Sequence, residues 1–223
     1  MYQIFLLDID NTLLDFDAAE ERSFKEAIES FSLTFHEEML DQYKKINKNL
    51  WDLLEQGKVS KDTIRSTRFF EFFRLYDLDI DGLEAEERYQ TNLSNSADMI
   101  PHAKETLEQL KKAGKQLYTA SNGVYTTQIR RLEKAGLLTL FDGMLISQKI
   151  GFKKPSPNFF NYCFDHIPEF QKEKTIMVGD SLTSDIQGAQ GSGIDSCLFR
   201  PAKTVTPGHS THTIYDLTEL LQF

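Results

Sequence analysis

Ile4-Phe5-Leu6-Leu7-Asp8-Ile9-Asp10-Asn11-Thr12 decides how the rest of the chain is read. Four apolar residues in a row, with no polar alternation, predict a short strand buried on both faces, as in a parallel sheet. Asn11 ends the run. Asp8 and Asp10 therefore fall at the strand's carboxyl end, where open α/β sheets bind their ligands. On a regular strand both would point to one face, about 7 Å apart. Two acids so close repel unless something holds them. A hard divalent cation with oxygen ligands and bound waters would do it, which describes Mg²⁺. Beside it, one carboxyl stays ionised while the other keeps or trades a proton, and two like groups become a nucleophile and an acid/base. The bland alternative is a polar loop after an edge strand, and this stretch alone does not choose.

The whole chain narrows the choice. Its 223 residues, 40% hydrophobic and 26% charged, suit one large domain or a core with a smaller attached unit. A net charge of -9 argues against a nucleic-acid polymer as partner, since phosphate backbones call for a basic face. Small anions need only a local pocket. Cys163 and Cys197 stand alone, with no CxxC pairing, and read as small buried hydrophobes in a reducing compartment. His209 and His212 are the one near pair of histidines, in a polar stretch that does not read as a metal site. No apolar run approaches the ~18 residues that span a bilayer, and the chain enters a strand without a signal peptide, so the cytoplasm is the expected location.

After the first strand, strand signals vanish from Asp17 to about Asn95. Phe24, Ala27, Ile28 and Phe31 fall at helical spacing. So do Tyr43, Ile46, Leu50, Trp51 and Leu54, then Phe69, Phe72, Phe73 and Tyr76, and more weakly Ala85, Tyr89 and Leu93. Gly57 and Gly82 punctuate these segments. The aromatic stripe from Phe69 to Tyr76 reads as bundle core, with Phe70 off the main face. Beyond Pro101, helix and strand alternate. Helices are expected around Ala103, Leu107 and Leu110, and around Ile129, Leu132 and Ala135, closed by Gly114 and Gly136. Strands are expected at 117–120, 144–146, 175–178 and 196–199. Ser156-Pro157 is a strong helix start, and helices are expected at 184–190 and 216–221. Alternating βα units imply a parallel sheet covered on both faces. The expected architecture is an α/β, Rossmann-like parallel core formed by 1–16 and 96–223, with a helical-bundle cap, 17–95, inserted in it.

Three further motifs sit at or just beyond strand ends. Ser121-Asn122-Gly123 combines a hydroxyl, a flexible residue and a helix start, which together make an anion site or an ordinary turn. Lys153-Lys154-Pro155 offers a point charge for a phosphate, with Lys154 favoured because Pro155 restrains its backbone; a solvated loop lysine is the alternative. Val178-Gly179-Asp180 runs into a second acid, Asp185, in the first turn of a helix. Asp180 is placed to ligate a cation, and Asp185 to hold a bound water or Lys154. Gly188, Gly191 and Gly193 read as close packing and a helix stop.

Taken in order, the acid pair, Ser-Asn-Gly, Lys-Pro and Gly-Asp-x4-Asp resemble the haloacid dehalogenase superfamily of phosphotransferases, over the whole chain and with a highly specific motif set. The helical insertion after the first motif resembles that superfamily's C1-type cap. The segment 178–186, with Phe199-Arg200-Pro201 after it, resembles the pyrimidine 5′-nucleotidase branch. The resemblance implies that Asp8 attacks phosphorus and that Asp10 protonates the leaving oxygen and then activates water. It implies that Thr12 steadies the Asp10 loop, and that Ser121 and Lys154 bind phosphate oxygens with Asn122 lining the same site. Mg²⁺ would sit on Asp8, Asp180 and the main-chain carbonyl of Asp10, supported by Asp185. Phosphoryl transfer is chiefly positioning plus neutralisation of spreading negative charge, and one Mg²⁺ and one lysine answer that need.

The implied substrate is a small phosphomonoester, with pyrimidine or deoxyribonucleoside monophosphates foremost. Phosphoglycolate or sugar-phosphate hydrolysis, and a β-phosphoglucomutase-type mutase, keep the same residues. Dehalogenases of the superfamily lack the second acid, so Asp10 argues against that chemistry. A non-catalytic binding protein on the same fold would be expected to have lost Asp8 or Lys154. The oligomeric state, monomer or homodimer, stays open.

Overall fold

The computed structural model describes residues 1–201 and 209–223. It separates into two compact units, Met1–Phe16 with Ala97–Phe223, and Asp17–Ser96.

The first unit is built on a six-stranded parallel sheet. Its strands are β1 (Ile4–Leu7), β2 (Gln116–Ser121), β3 (Gly143–Ile146), β4 (Thr175–Gly179), β5 (Asp195–Phe199) and β6 (His212–Ile214), in spatial order β3-β2-β1-β4-β5-β6. β1 lies at the centre, and its four residues are all buried. Alternation divides them between two cores. Phe5 and Leu7 join Leu117, Ile176, Val178, Cys197 and Phe199 on one face. Ile4 and Leu6 join Tyr118, Ala120, Met177, Phe159 and Phe160 on the other. A strand apolar on both sides can rest only where helices cover both, so the sequence of β1 itself fixes its central place. Leu7 pairs in register with Thr119 on β2 and Val178 on β4. The carboxyl ends of all three strands meet there, where the strand order reverses.

The second unit holds four helices, α1 (Phe16–Glu29, whose first residue belongs to the sheet unit), α2 (Glu37–Glu55), α3 (Lys61–Leu75) and α4 (Gly82–Ser94). Phe24, Tyr43, Phe69, Phe72 and Tyr89 pack ring against ring at their centre. Phe70 is 59% exposed, off the packed face as its spacing requires. Phe31 falls in the turn after α1, and Gly82 opens α4 because its bare Cα lies against the Phe70 backbone, where a Cβ would stand 2.7 Å from the amide nitrogen. Each helix also buries one polar side chain in a shared layer. Glu20 accepts from Asn47 Nδ2 at 2.6 Å, Asn47 Oδ1 accepts from Arg68, and Arg68 forks onto Glu86 at 2.6 and 2.7 Å.

The remaining helices complete the sheet unit: α5 (Ala103–Lys112), α6 (Tyr125–Lys134), α7 (Ser147–Ile150), α8 (Pro157–His166) and α9 (Gln187–Ser192). Ser156 caps α8 by accepting from the amide of Asn158. Three expectations need correction. The buried face of α6 is Thr127, Gln128, Arg131 and Leu132, with Ile129 only half-buried, because the helix turns polar side chains toward Asp10. The helix expected at 184–190 is instead a π-helical turn, Leu182–Ile186, running into α9. His212, in the stretch read as merely polar, lies on β6 and hydrogen-bonds the Tyr2 hydroxyl at 3.0 Å. Cys163 and Cys197 are free and buried, and burial pushes both thiols up to about 12. No helix among the described residues is long and apolar enough to cross a membrane.

Candidate active site

Asp8 follows the last residue of β1, and its amide is tied to Val178 O at 2.9 Å, continuing the ladder to β4. Asp180 follows the last residue of β4. Asp185 comes from the π-helical turn, whose i→i+5 bond joins the Ile186 amide to Ser181 O at 3.1 Å. Gly179 makes that approach possible, since a Cβ there would stand 2.1 Å from Asp185 Oδ2. Oxygens of Asp8, Asp180 and Asp185 lie within 4.8 Å of one another.

Lys154 enters between two of them. Its ammonium donates to Asp8 Oδ1 at 2.7 Å and Asp185 Oδ1 at 2.6 Å, and the side chain is 2% exposed. Asn122 holds this lysine by its backbone: the amide of Lys154 donates to Asn122 Oδ1, and Asn122 Nδ2 donates to Lys154 O, both at 2.9 Å. The Asn122 side chain is thus engaged in fixing Lys154. The Lys154-Pro155 peptide is cis.

Charge follows from this crowding. Burial pushes the Asp8 carboxyl well above the usual carboxylate range; Lys154 pulls it back, while Asp185, Asp180 and Asp10 add to the rise. Burial and then Asp185 push Asp180 up to about 7. Burial works against the ammonium of Lys154, but Asp185 and Asp8 outweigh it and hold its pKa above the ordinary lysine value. Three carboxylates against one ammonium leave an excess of negative charge that a cation would offset. A donor set made only of carboxylate oxygens suits a hard ion such as Mg²⁺.

Asp10 is not on the strand. It lies in the following loop, where the amides of Leu13 and Leu14 both donate to Ile9 O at 2.9 Å and Asn11 takes a positive φ of 55°. The amide of Phe16 donates to Asn11 Oδ1 at 2.9 Å. Thr12 Oγ1 is buried with no hydrogen-bond partner among the described residues, so these backbone bonds and Asn11, rather than the Thr12 hydroxyl, hold the loop. The Asp10 carboxylate stands outside the acidic cluster. Gln128 Nε2 donates to its Oδ2 at 2.6 Å and Arg131 pairs with its Oδ1. Ser121, the last residue of β2, is buried, and its Oγ accepts from the Gly123 amide and from Gln128 Nε2, both at 3.0 Å. Arg200 at the end of β5 donates to Asp180 O at 2.9 Å. Gln128 and Arg131 escape a reading based on short motifs, and Arg200 was legible only as part of Phe199-Arg200-Pro201, without its contact to Asp180. The signal for the first two was the i, i+3 spacing of polar residues on the helix that follows Ser-Asn-Gly.

This site lies on a chain with known relatives. The family model described as haloacid dehalogenase-like hydrolase matches residues 5–199. The HAD-hydrolase YfnB of Bacillus subtilis is 38% identical over 200 residues, covering 90% of this chain and 85% of that protein. The solved structure of YfnB bound to magnesium superposes with a TM-score of 0.92, at 36% identity over 99% of this chain and 97% of that one. The pyrimidine 5′-nucleotidase PynA of Streptococcus pneumoniae is 35% identical over 222 residues, 99% of this chain and 94% of that protein. The pyrimidine 5′-nucleotidase YjjG of Escherichia coli is 26% identical over 96% of this chain and 95% of its own length.

Proposed function

The chain belongs to the haloacid dehalogenase-like hydrolases, and on that premise we propose that it is a Mg²⁺-dependent 5′-nucleotidase acting on pyrimidine or deoxyribonucleoside monophosphates. The observation that carries the hydrolytic part is Lys154 bridging Asp8 and Asp185 beside Asp180, with Ser121 at the next strand end. The observation behind the substrate class is 35% identity to a pyrimidine nucleotidase along 99% of the chain.

Asp8 Oδ attacks phosphorus as the bond from phosphorus to the ester oxygen breaks, and that oxygen takes a proton from Asp10. Asp10 then removes a proton from water, the water oxygen attacks phosphorus, and the bond to Asp8 breaks, which restores the enzyme and releases phosphate. Lys154, oriented by Asp185 and by the Asn122 clamp, sets positive charge against the phosphoryl oxygens, and Ser121 donates to another. Asp8, Asp180 and the Asp10 carbonyl, supported by Asp185, would hold Mg²⁺, which would supply charge that offsets Asp8 and Asp180 and the transferring group.

The test compares kcat/KM for dUMP, dTMP, UMP, AMP, phosphoglycolate and hexose phosphates, with Mg²⁺ and with EDTA. Pyrimidine or deoxyribose nucleotides should lead, with turnover lost in EDTA. A lead of about tenfold or more for phosphoglycolate or a hexose phosphate, roughly 1.4 kcal/mol of transition-state preference, would leave a phosphatase but remove the nucleotidase assignment.

A further inference from the structure

Gln128 stands between two groups that do opposite work in the proposed site. Its Nε2 donates to Asp10 Oδ2 at 2.6 Å and to Ser121 Oγ at 3.0 Å, and its Oε1 accepts from Arg131 Nη1 at 3.2 Å. The last bond settles which end of the amide is which. A guanidinium carries only donors, so the amide oxygen must face it, and the amide NH₂ must face Asp10 and Ser121.

The consequence for Ser121 follows from counting. A hydroxyl has two acceptor lone pairs and one donor hydrogen. Ser121 Oγ accepts from Gln128 and from the Gly123 amide at 3.0 Å, so both lone pairs are in use and its O–H is left to donate. The Asp10 carboxylate is the converse case, taking Gln128 on one oxygen and Arg131 on the other, with its remaining lone pairs held at a fixed angle. Gly123 is what admits the amide, because a Cβ there would stand 2.4 Å from Gln128 Nε2. The glycine of Ser-Asn-Gly therefore serves a side chain five residues on.

We propose that Gln128 is a positioning residue that commits Ser121 to donate and orients the Asp10 carboxyl for its exchange of protons with the leaving oxygen and with water. A hydroxyl that can only donate suits a phosphoryl oxyanion and turns away ligand groups that donate. The proposal rests on the phosphatase reading and assigns to one amide the task of matching the site to it.

Two replacements separate this role from space filling. Gln128→Glu keeps the shape but puts acceptors where the amide has donors, so the Ser121 hydroxyl turns toward it and Asp10 meets another carboxylate. Gln128→Met keeps the bulk and removes the polarity. With the best phosphomonoester substrate of the wild type, kcat/KM should fall about 10–100-fold for Gln128→Met and about tenfold further for Gln128→Glu, with weaker inhibition by inorganic phosphate in both. Removing Ser121 first should blunt the effect: the loss in Ser121→Ala/Gln128→Met should be smaller than the product of the single losses. Melting temperatures identify any variant that fails to fold, and if Gln128→Glu fails, the cycle with Gln128→Met decides. Equal losses for Glu and Met, activity within about threefold of wild type in both, or fully multiplicative losses in the double variant overturn the proposal. A wild type inert toward every phosphomonoester overturns the phosphatase reading and this inference with it. An active wild type with indifferent Gln128 variants overturns this inference alone.

Discussion

Each unit of this chain buries a polar cluster, and the two differ in charge balance. In the helical unit, Glu86 receives Arg68 through two hydrogen bonds, Arg65 stands 3.6 Å from the same carboxylate, and Glu20 is held by the neutral amide of Asn47. Glu86 is matched by cations there, Glu20 by a neutral donor, and the layer ties four helices together. In the sheet unit, Asp8, Asp180 and Asp185 share one ammonium, and Asp180 is only half-buried. Burial of charge is therefore not what marks the candidate site. The mark is an excess of one sign that a folded chain would not keep for stability alone.

Breaking the matched layer should cost the most. Arg68→Ala leaves Glu86, 2% exposed, without its fork and should destabilise the protein by about 3–5 kcal/mol, read from urea unfolding. Arg68→Met together with Glu86→Gln should recover much of that loss, because no buried charge is then stranded. If Arg68→Ala proved neutral, the layer would not be a matched ion pair in any energetic sense.

A smaller change sharpens the same contrast. Burial, opposed by the Asn47 hydrogen bond, pushes the Glu20 carboxyl up to about 7. The folded state thus keeps a proton that the unfolded chain releases near pH ~4.3. Stability then falls as pH rises from there to about 7, and the penalty is complete above it. Glu20→Gln removes the penalty while keeping an acceptor for Asn47. It should match the wild type near pH 4 and exceed it by ~1–3 kcal/mol at pH 8, read from melting curves across pH. A constant offset between the two curves would place the cause elsewhere.

Five of the six strands were legible because they are short and apolar; β6, His212–Ile214, was not, because its stretch is polar. Ile4–Leu7 read as a buried strand from its unbroken apolar run, and the motifs after 120, 153 and 179 each follow a predicted strand or loop within a few residues. Chain spacing carried the reading that far. What it could not carry was pairing between side chains whose positions depend on three dimensions. Gln128 and Arg131 drew no reading, since the apolar set Ile129, Leu132 and Ala135 alone defined the expected helix face. Glu20, Asn47, Arg68 and Glu86 each sit alone among polar neighbours on separate helices, and nothing local says that they meet. Asn122 was read as lining the phosphate site, and nothing in the sequence showed that its amide also matches the backbone of Lys154 across 32 residues of chain.

The central claim is that Asp8 carries the phosphoryl group, and acid-quenched turnover tests it most directly. Enzyme mixed with Mg²⁺ and its best nucleotide should, within the first turnover, carry phosphate mapped to the peptide containing Asp8. Asp8→Asn should carry none and lose turnover by at least about 10³-fold. Phosphate found on another residue, or substantial hydrolysis by Asp8→Asn, would contradict the account.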